Sequence, residues 1–143
     1  MKIRHLITTT TILTLLAGVA FAGLKQPAPV EVDLVNMFAF GDQVSARNAK
    51  DDVSFIGCGI RVFDDGVFPP FAFGFCQAGD SEENQIVCFT ESPNLLNAMG
   101  AENDFSFITF SWQDDGFGGA ECTRVGFSTQ SFYLPKFKTK GKK

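Results

Sequence analysis

Between residues 30 and 34 the chain alternates, with Val30, Val32 and Leu34 on one parity and Glu31 and Asp33 on the other. A period of two is that of a half-buried strand. Met37 to Phe40 read as its continuation. Apolar runs rich in Phe, Val and Ile over 53–63, 71–78, 85–90, 105–113 and 121–129 predict further strands, with 132–134 as a short last piece. Turn formers separate them: Asp64-Asp65-Gly66 with Pro69-Pro70, then Gly79-Asp80, then Asp114-Asp115-Gly116 with Gly118-Gly119. Connections this short favour antiparallel neighbours. The stretch 41–52, carrying Ser45, Asn48 and Asp51-Asp52, reads as a polar connection. One helix is expected at about 92–100, because Ser92 suits the N-cap, Pro93 the first turn and Gly100 the C-terminal cap, around a stripe of Leu95, Leu96 and Met99. The expected fold is mainly β, an antiparallel sheet or sandwich of about six to seven strands with that single short helix.

The parity of the strands gives more than their number. Phe71, Phe73 and Phe75 share one face, and Ala72, Gly74 and Cys76 the other. A face of small side chains can receive a disulfide, a helix or a second sheet. In the run 105–112, Phe105 and Phe107 lie on one parity and Ile108, Phe110 and Trp112 on the other, which predicts burial on both faces or a bulge. Core packing is the favoured reading of so many Phe. The alternative is an apolar interface with a partner or a second copy, since one small sheet does not readily hide that much aromatic surface. A carbohydrate platform draws mainly on Trp and Tyr, of which only Trp112 and Tyr133 are present.

The N-terminus changes how the rest is read. Lys2 and Arg4 precede an apolar stretch from Leu6 to Val19, and Ala20-Phe21-Ala22 supplies small residues before Gly23. That is the form of a secretory signal over 1–22, cleaved after Ala22. The apolar run is diluted by Thr8 to Thr11 and falls short of the ~20 residues that a spanning helix needs, so no membrane span is expected after cleavage. The anticipated organisation is a signal at 1–22, one disulfide-braced β domain over 23–135 and a basic tail over 136–143, in a protein secreted to the periplasm or the extracellular space. His5, the sole histidine, falls within the signal. A mature chain without imidazole cannot build a Ser-His-Asp or Cys-His nucleophile, a His-ligated zinc site or a histidine pH switch.

An oxidising compartment makes disulfides the default for Cys58, Cys76, Cys88 and Cys122. Their spacings of 18, 12 and 34 residues do not resemble the close pairs of a zinc site. A turn centred near Val67 sets Cys58 opposite Cys76, and one near Glu82 sets Cys76 opposite Cys88. Cys58 and Cys88 then flank a common strand at about 10 Å, beyond the ~7 Å that a bridge spans between Cα atoms. Two pairings remain: Cys58 with Cys76 plus Cys88 with Cys122, or Cys76 with Cys88 plus Cys58 with Cys122. The first is preferred because it ties the central hairpin and clamps the last hairpin to the strand before the helix.

Charge is split along the chain. Beyond residue 22 there are ten Lys and Arg against sixteen Asp and Glu. Five of those cations, Lys136, Lys138, Lys140, Lys142 and Lys143, fall in the last eight residues, leaving 23–135 with five cations and a net charge of −11. Such a body repels phosphate backbones, so nucleic acid is not expected as a partner. The tail, with Phe137 inside it, is either a solubilising end or an attachment to an anionic envelope surface or to the acidic body of a neighbouring copy.

Paired carboxylates are the remaining candidate chemistry. Asp51-Asp52, Asp64-Asp65, Glu82-Glu83 and Asp114-Asp115 could supply a glycosidase acid and base, or oxygen ligands for calcium, although no Asp-x-Asp-x-Asp-Gly loop occurs. Asp is also the ordinary turn former at such positions, and that reading is favoured. Arg47, Arg61 and Arg124, in an acidic body, are expected to be ion-paired. No catalytic residue, metal or cofactor is assigned.

Ala46-Arg47-Asn48, Ile56-Gly57-Cys58, Cys76, Cys88 with Thr90 and Pro93, Phe107-Ile108-Thr109-Phe110 and Cys122 together resemble small secreted four-cysteine proteins of Gram-negative bacteria that are generally left uncharacterised. The resemblance covers most of the chain after the signal and implies a compartment, with no activity or site. The expected role is a secreted, non-enzymatic binding or structural module that engages a protein partner or itself. A small carboxylate-dependent hydrolase is the alternative.

Overall fold

The computed structural model describes residues 23–136. The expected signal at 1–22 lies outside the described residues, as do Phe137, Lys138, Lys140, Lys142 and Lys143 of the tail. In chain order the elements are β1 (Glu31–Asp33), β2 (Phe38–Asp42), α1 (Gln43–Arg47), β3 (Phe55–Phe63), β4 (Phe71–Gly79), β5 (Gln85–Thr90), α2 (Pro93–Met99), β6 (Phe107–Asp114) and β7 (Ala120–Ser128), followed by a 3₁₀ turn at Ser131–Tyr133. The strands form one seven-stranded sheet in the order β1-β2-β6-β7-β5-β4-β3.

The hairpins β3–β4, β4–β5 and β6–β7 are antiparallel, as their turns dictate. The join between β5 and β7 is parallel and is made through Phe89 and Glu121. It departs from an all-antiparallel sheet for a topological reason: the chain leaves β5, crosses by α2 and runs up β6 before returning in β7. Such an intervening crossover is what a parallel neighbour requires. A bulge between Ser111 and Trp112 interrupts the β6–β7 register.

Three local expectations are corrected. Residues 37–40 do not prolong the first strand. Met37 takes a positive φ of 57°, and Asp33 accepts from the backbone N–H of Val35 and Asn36, reversing the chain so that β2 pairs with β1. The polar stretch 41–52 contains α1, whose N-cap Asp42 accepts from the Ser45 N–H at 2.7 Å. Residues 132–134 do not make a strand either; Ser131–Tyr133 form the 3₁₀ turn.

The sheet curls until its two ends approach. The Val32 N–H of β1 donates to Asp80 beyond β4 at 3.2 Å, and β2 and α1 both touch β3. The core fills the curl: Ile56, Cys76, Ala78, Cys88, Ile108, Phe110, Trp112 and Cys122, closed by Met99 of α2. The small inward face of β4 admits that helix. A Cβ on Gly74 would meet the Met99 sulfur and stand 3.0 Å from Leu96 Cδ2. The same inward face carries both bridges, Cys58–Cys76 and Cys88–Cys122, the preferred of the two pairings that the turn positions left open. Cys58 faces Cys76 in register, and Cys76 faces Cys88.

Candidate functional site: the aromatic outer face

Alternation along β4 leaves no choice about where its rings go. With Ala72, Gly74, Cys76 and Ala78 turned toward α2 and the disulfides, Phe71, Phe73 and Phe75 point out of the curl. Phe63 of β3 and Phe89 of β5 share that face. The rings form a ladder, Phe63 to Phe71 at 6.2 Å, Phe71 to Phe73 at 5.9 Å and Phe73 to Phe89 at 5.9 Å between centroids. Phe63, Phe71 and Phe89 keep 56%, 45% and 49% of their surface exposed. The Arg61 guanidinium lies over the Phe75 ring, 4.9 Å from its centroid.

This outcome reverses the favoured core reading of the phenylalanines. Among the described phenylalanines only Phe110 is in the buried core. The inward positions of β4 hold only Ala, Gly and Cys because a helix and two bridges occupy the space above them, and rings do not fit there. Full burial of one Phe contributes ~1.5–3 kcal/mol, so half-exposed rings forgo several kcal/mol, a sizeable fraction of the ~5–15 kcal/mol that stabilises a typical domain.

The other half of the same face is treated differently. Phe38 and Phe40 of β2 and Phe107 of β6 form a second aromatic row, with centroids 6.0 and 6.1 Å apart. The chain's own C-terminal turn covers the Phe107 end of this row: Tyr133 stacks on Phe107 at 5.3 Å and packs edge-on to Phe132 at 4.5 Å. Tyr133 is thereby buried, as is Trp112 in the core, so neither ring forms an exposed carbohydrate platform. Exposed Thr123 and Arg124 of β7 form a polar strip between the covered and the open halves.

Where the open half meets β7 there is a groove of about 500 Å³. Its floor is Phe71, Phe73 and Phe89, and its charged lining residues are Glu91, Asp115 and Glu121, all acidic. Hydrogen bonds from the backbone of Phe117 and Gly119 hold the Asp115 carboxyl below the usual carboxylate range. Glu121 accepts from the Gln113 side chain at 2.9 Å. A larger recess of about 870 Å³ lies between β1 and the β4–β5 turn. Its Asp33 and Asp80 are committed to hydrogen bonds within the fold, so it is a seam of the curl.

The paired carboxylates sit in the connections between strands, save Asp114 at the end of β6. Asp51 accepts from the N–H of Val53 and Ser54, and Asp65 from those of Val67 and Phe68. Hydrogen bonding, led by Ser54 for Asp51 and by Val67 for Asp65, lowers both from the ordinary carboxylate value. A general acid needs the opposite shift. Glu102 has it: burial pushes its carboxyl up against a hydrogen bond from the Cys58 backbone, and nearby Asp104 adds to the rise. The Gln43 side chain donates to Glu102 at 3.0 Å, beside α1 and remote in sequence from every carboxylate pair. No periodicity or motif marks Glu102 in the sequence. Among the described residues no group of three or more His, Cys, Asp or Glu could hold a metal ion, and no helix is long and apolar enough to cross a membrane.

The arginines are not ion-paired as expected. Arg61 uses Phe75 and the Ile60 carbonyl, Arg124 donates to the Thr109 hydroxyl, and none of Arg47, Arg61 and Arg124 has a carboxylate partner among the described residues. Lys136, the first lysine of the tail, is exposed at the end of a recess lined also by Lys25, Asp42 and Tyr133. No family model matches the chain, and no curated protein or solved structure is detectably similar to it.

Proposed function

We propose that this protein is a secreted, non-enzymatic structural module of the bacterial envelope or extracellular space, and that it assembles copy onto copy through the open aromatic half of its sheet. The observation that carries the reading is the exposed ladder of Phe63, Phe71, Phe73 and Phe89. Contiguous apolar surface on a small domain marks an interaction site. Two disulfides fit an oxidising compartment. The secreted location further rests on the signal-like segment 1–22, and assembly with a second copy on the opposition of a −11 body and a five-lysine tail within one chain.

Sedimentation velocity of the disulfide-intact protein over a range of concentrations tests this. Expected is a reversible shift from monomer to larger species. Replacing Phe71 and Phe89 together by Ser should abolish the shift while circular dichroism stays native. A wild-type protein that remains monomeric at every concentration would sink the reading.

A further inference from the structure

The groove at the edge of the aromatic ladder joins an apolar floor to an acidic lining. Its floor is three phenylalanine rings and its charged lining residues are three carboxylates. A ligand that fits both needs an aromatic group flanked by cations in an extended segment. The chain contains one such sequence, Lys136-Phe137-Lys138 continued by Lys140.

Distance decides whether that segment can serve its own groove. Lys136 follows a turn whose Tyr133 stacks on Phe107, the first residue of β6. Asp115 of the groove follows Asp114, the last residue of the same strand. The eight residues of β6 set those ends about 24 Å apart at ~3.4 Å per residue. Lys136 itself stays at the Phe107 end, lining a recess with Asp42, the β2 partner of Phe107; Phe137 comes directly after it, and one residue advances the chain by at most ~3.6 Å. The ring of Phe137 therefore cannot enter the groove of its own molecule. The other half of the face supplies a precedent in kind, because there Tyr133, backed by Phe132, already stacks on the outward ring of Phe107.

We infer that the groove between β4, β5 and β7 takes the Lys136-Phe137-Lys138 segment of a second copy of this chain. Phe137 enters the well formed by Phe71, Phe73 and Phe89, and the flanking lysines pair with Glu91 and Glu121. The contact is heterologous, tail into groove, so it propagates from copy to copy unless a ring closes. It rests on the self-assembly reading above and adds to it the identity of the inserted segment.

Charge reversal with full-length, disulfide-intact protein tests it. Lys136 and Lys138 are changed to Glu in one variant, and Glu91 and Glu121 to Lys in another. Each alone should lose association by about tenfold or more, a difference of ~1.4 kcal/mol, and an equimolar mixture should regain it. Phe137→Ala should weaken assembly comparably without changing its salt dependence. A zero-length carboxyl-to-amine cross-linker applied to mixed light and heavy isotope copies should join Glu91 or Glu121 of one to Lys136 or Lys138 of the other. If both reversed variants assemble like wild type while the Phe71→Ser, Phe89→Ser double variant does not, tail insertion is wrong and self-assembly by the face stands. If no variant and no wild type assembles, both fall. Tail-dependent binding to anionic lipid vesicles with no cross-link between copies would also overturn the inference.

Discussion

Asp80 shows how much one side chain can bind together. It is 6% exposed and accepts from the backbone N–H of Val32, Glu82 and Asn84 and from the Asn84 side chain, at 2.9 to 3.2 Å. Burial by itself would raise its pKa, but these bonds together hold it below the ordinary 3.8. Asp80→Ala should cost ~2–4 kcal/mol, because it leaves buried amides without an acceptor. A carboxylate with a lowered folded-state pKa stabilises above its unfolded value, and that contribution is lost as pH falls through the folded one. In thermal melts the gap between wild type and Asp80→Asn should therefore narrow from about pH 5 to about pH 2. Glu102 has the reverse sign. Its pKa is raised from 4.5, mainly by burial, so wild-type stability falls as pH climbs from 4.5 through the folded value. Glu102→Gln should gain in melting temperature relative to wild type between pH 4 and about pH 7, and a constant difference across that range would contradict the burial argument. Turn chemistry made Asp80 legible as a turn residue. The long-range bond to Val32 was not legible, since it depends on the curl of the sheet.

At the scale of elements, the sheet has one weak seam and one bridge placed across it. The β3–β4 ladder runs through nine registered pairs, whereas β5 and β7 share one, Phe89 with Glu121. Cys88–Cys122 spans that join. Loop-closure entropy distinguishes the two bridges little, since sequence separations of 34 and 18 residues differ by about one doubling, worth ~0.6 kcal/mol. The ladder decides instead. Removing Cys88 and Cys122 together should cost ~2–5 kcal/mol and release amide protection in β5 and β7 first. Removing Cys58 and Cys76 should leave the β3–β4 amides protected until global unfolding. Hydrogen exchange with mass detection reads both outcomes, and equal loss of protection in the two variants would contradict the weak-seam account. The hairpins β3–β4, β4–β5 and β6–β7, the facing of Cys76 by Cys58 and Cys88, and α2 could be read from the sequence because turns and caps are local signals, whereas the β1–β2 reversal at Met37 was not. The parallel join could not, since nothing within either strand records its partner. The five residues of α1 carry a cap at Asp42 and too little length for a periodic stripe.

For the molecule as a whole, the sequence shows parity but not direction. Phe71, Phe73 and Phe75 could be assigned to one face, and Gly74 and Cys76 to the other, from the alternation alone. Which face turns outward was settled only by α2 and two disulfides lying on the small one. The consequence is a face with a covered half, under Tyr133, and an open half, under nothing within the described chain. A body at −11 and a lysine-rich segment give the same molecule both partners of an electrostatic contact. Hydroxyl-radical footprinting, read by mass spectrometry at dilute and assembled concentrations, tests the role of the open half most directly. Labelling of Phe63, Phe71 and Phe89 should fall on assembly, while Phe68 and Phe117, exposed at hairpin tips, report the background. Assembly that leaves the labelling of Phe63, Phe71 and Phe89 unchanged relative to those two would contradict a role for this face.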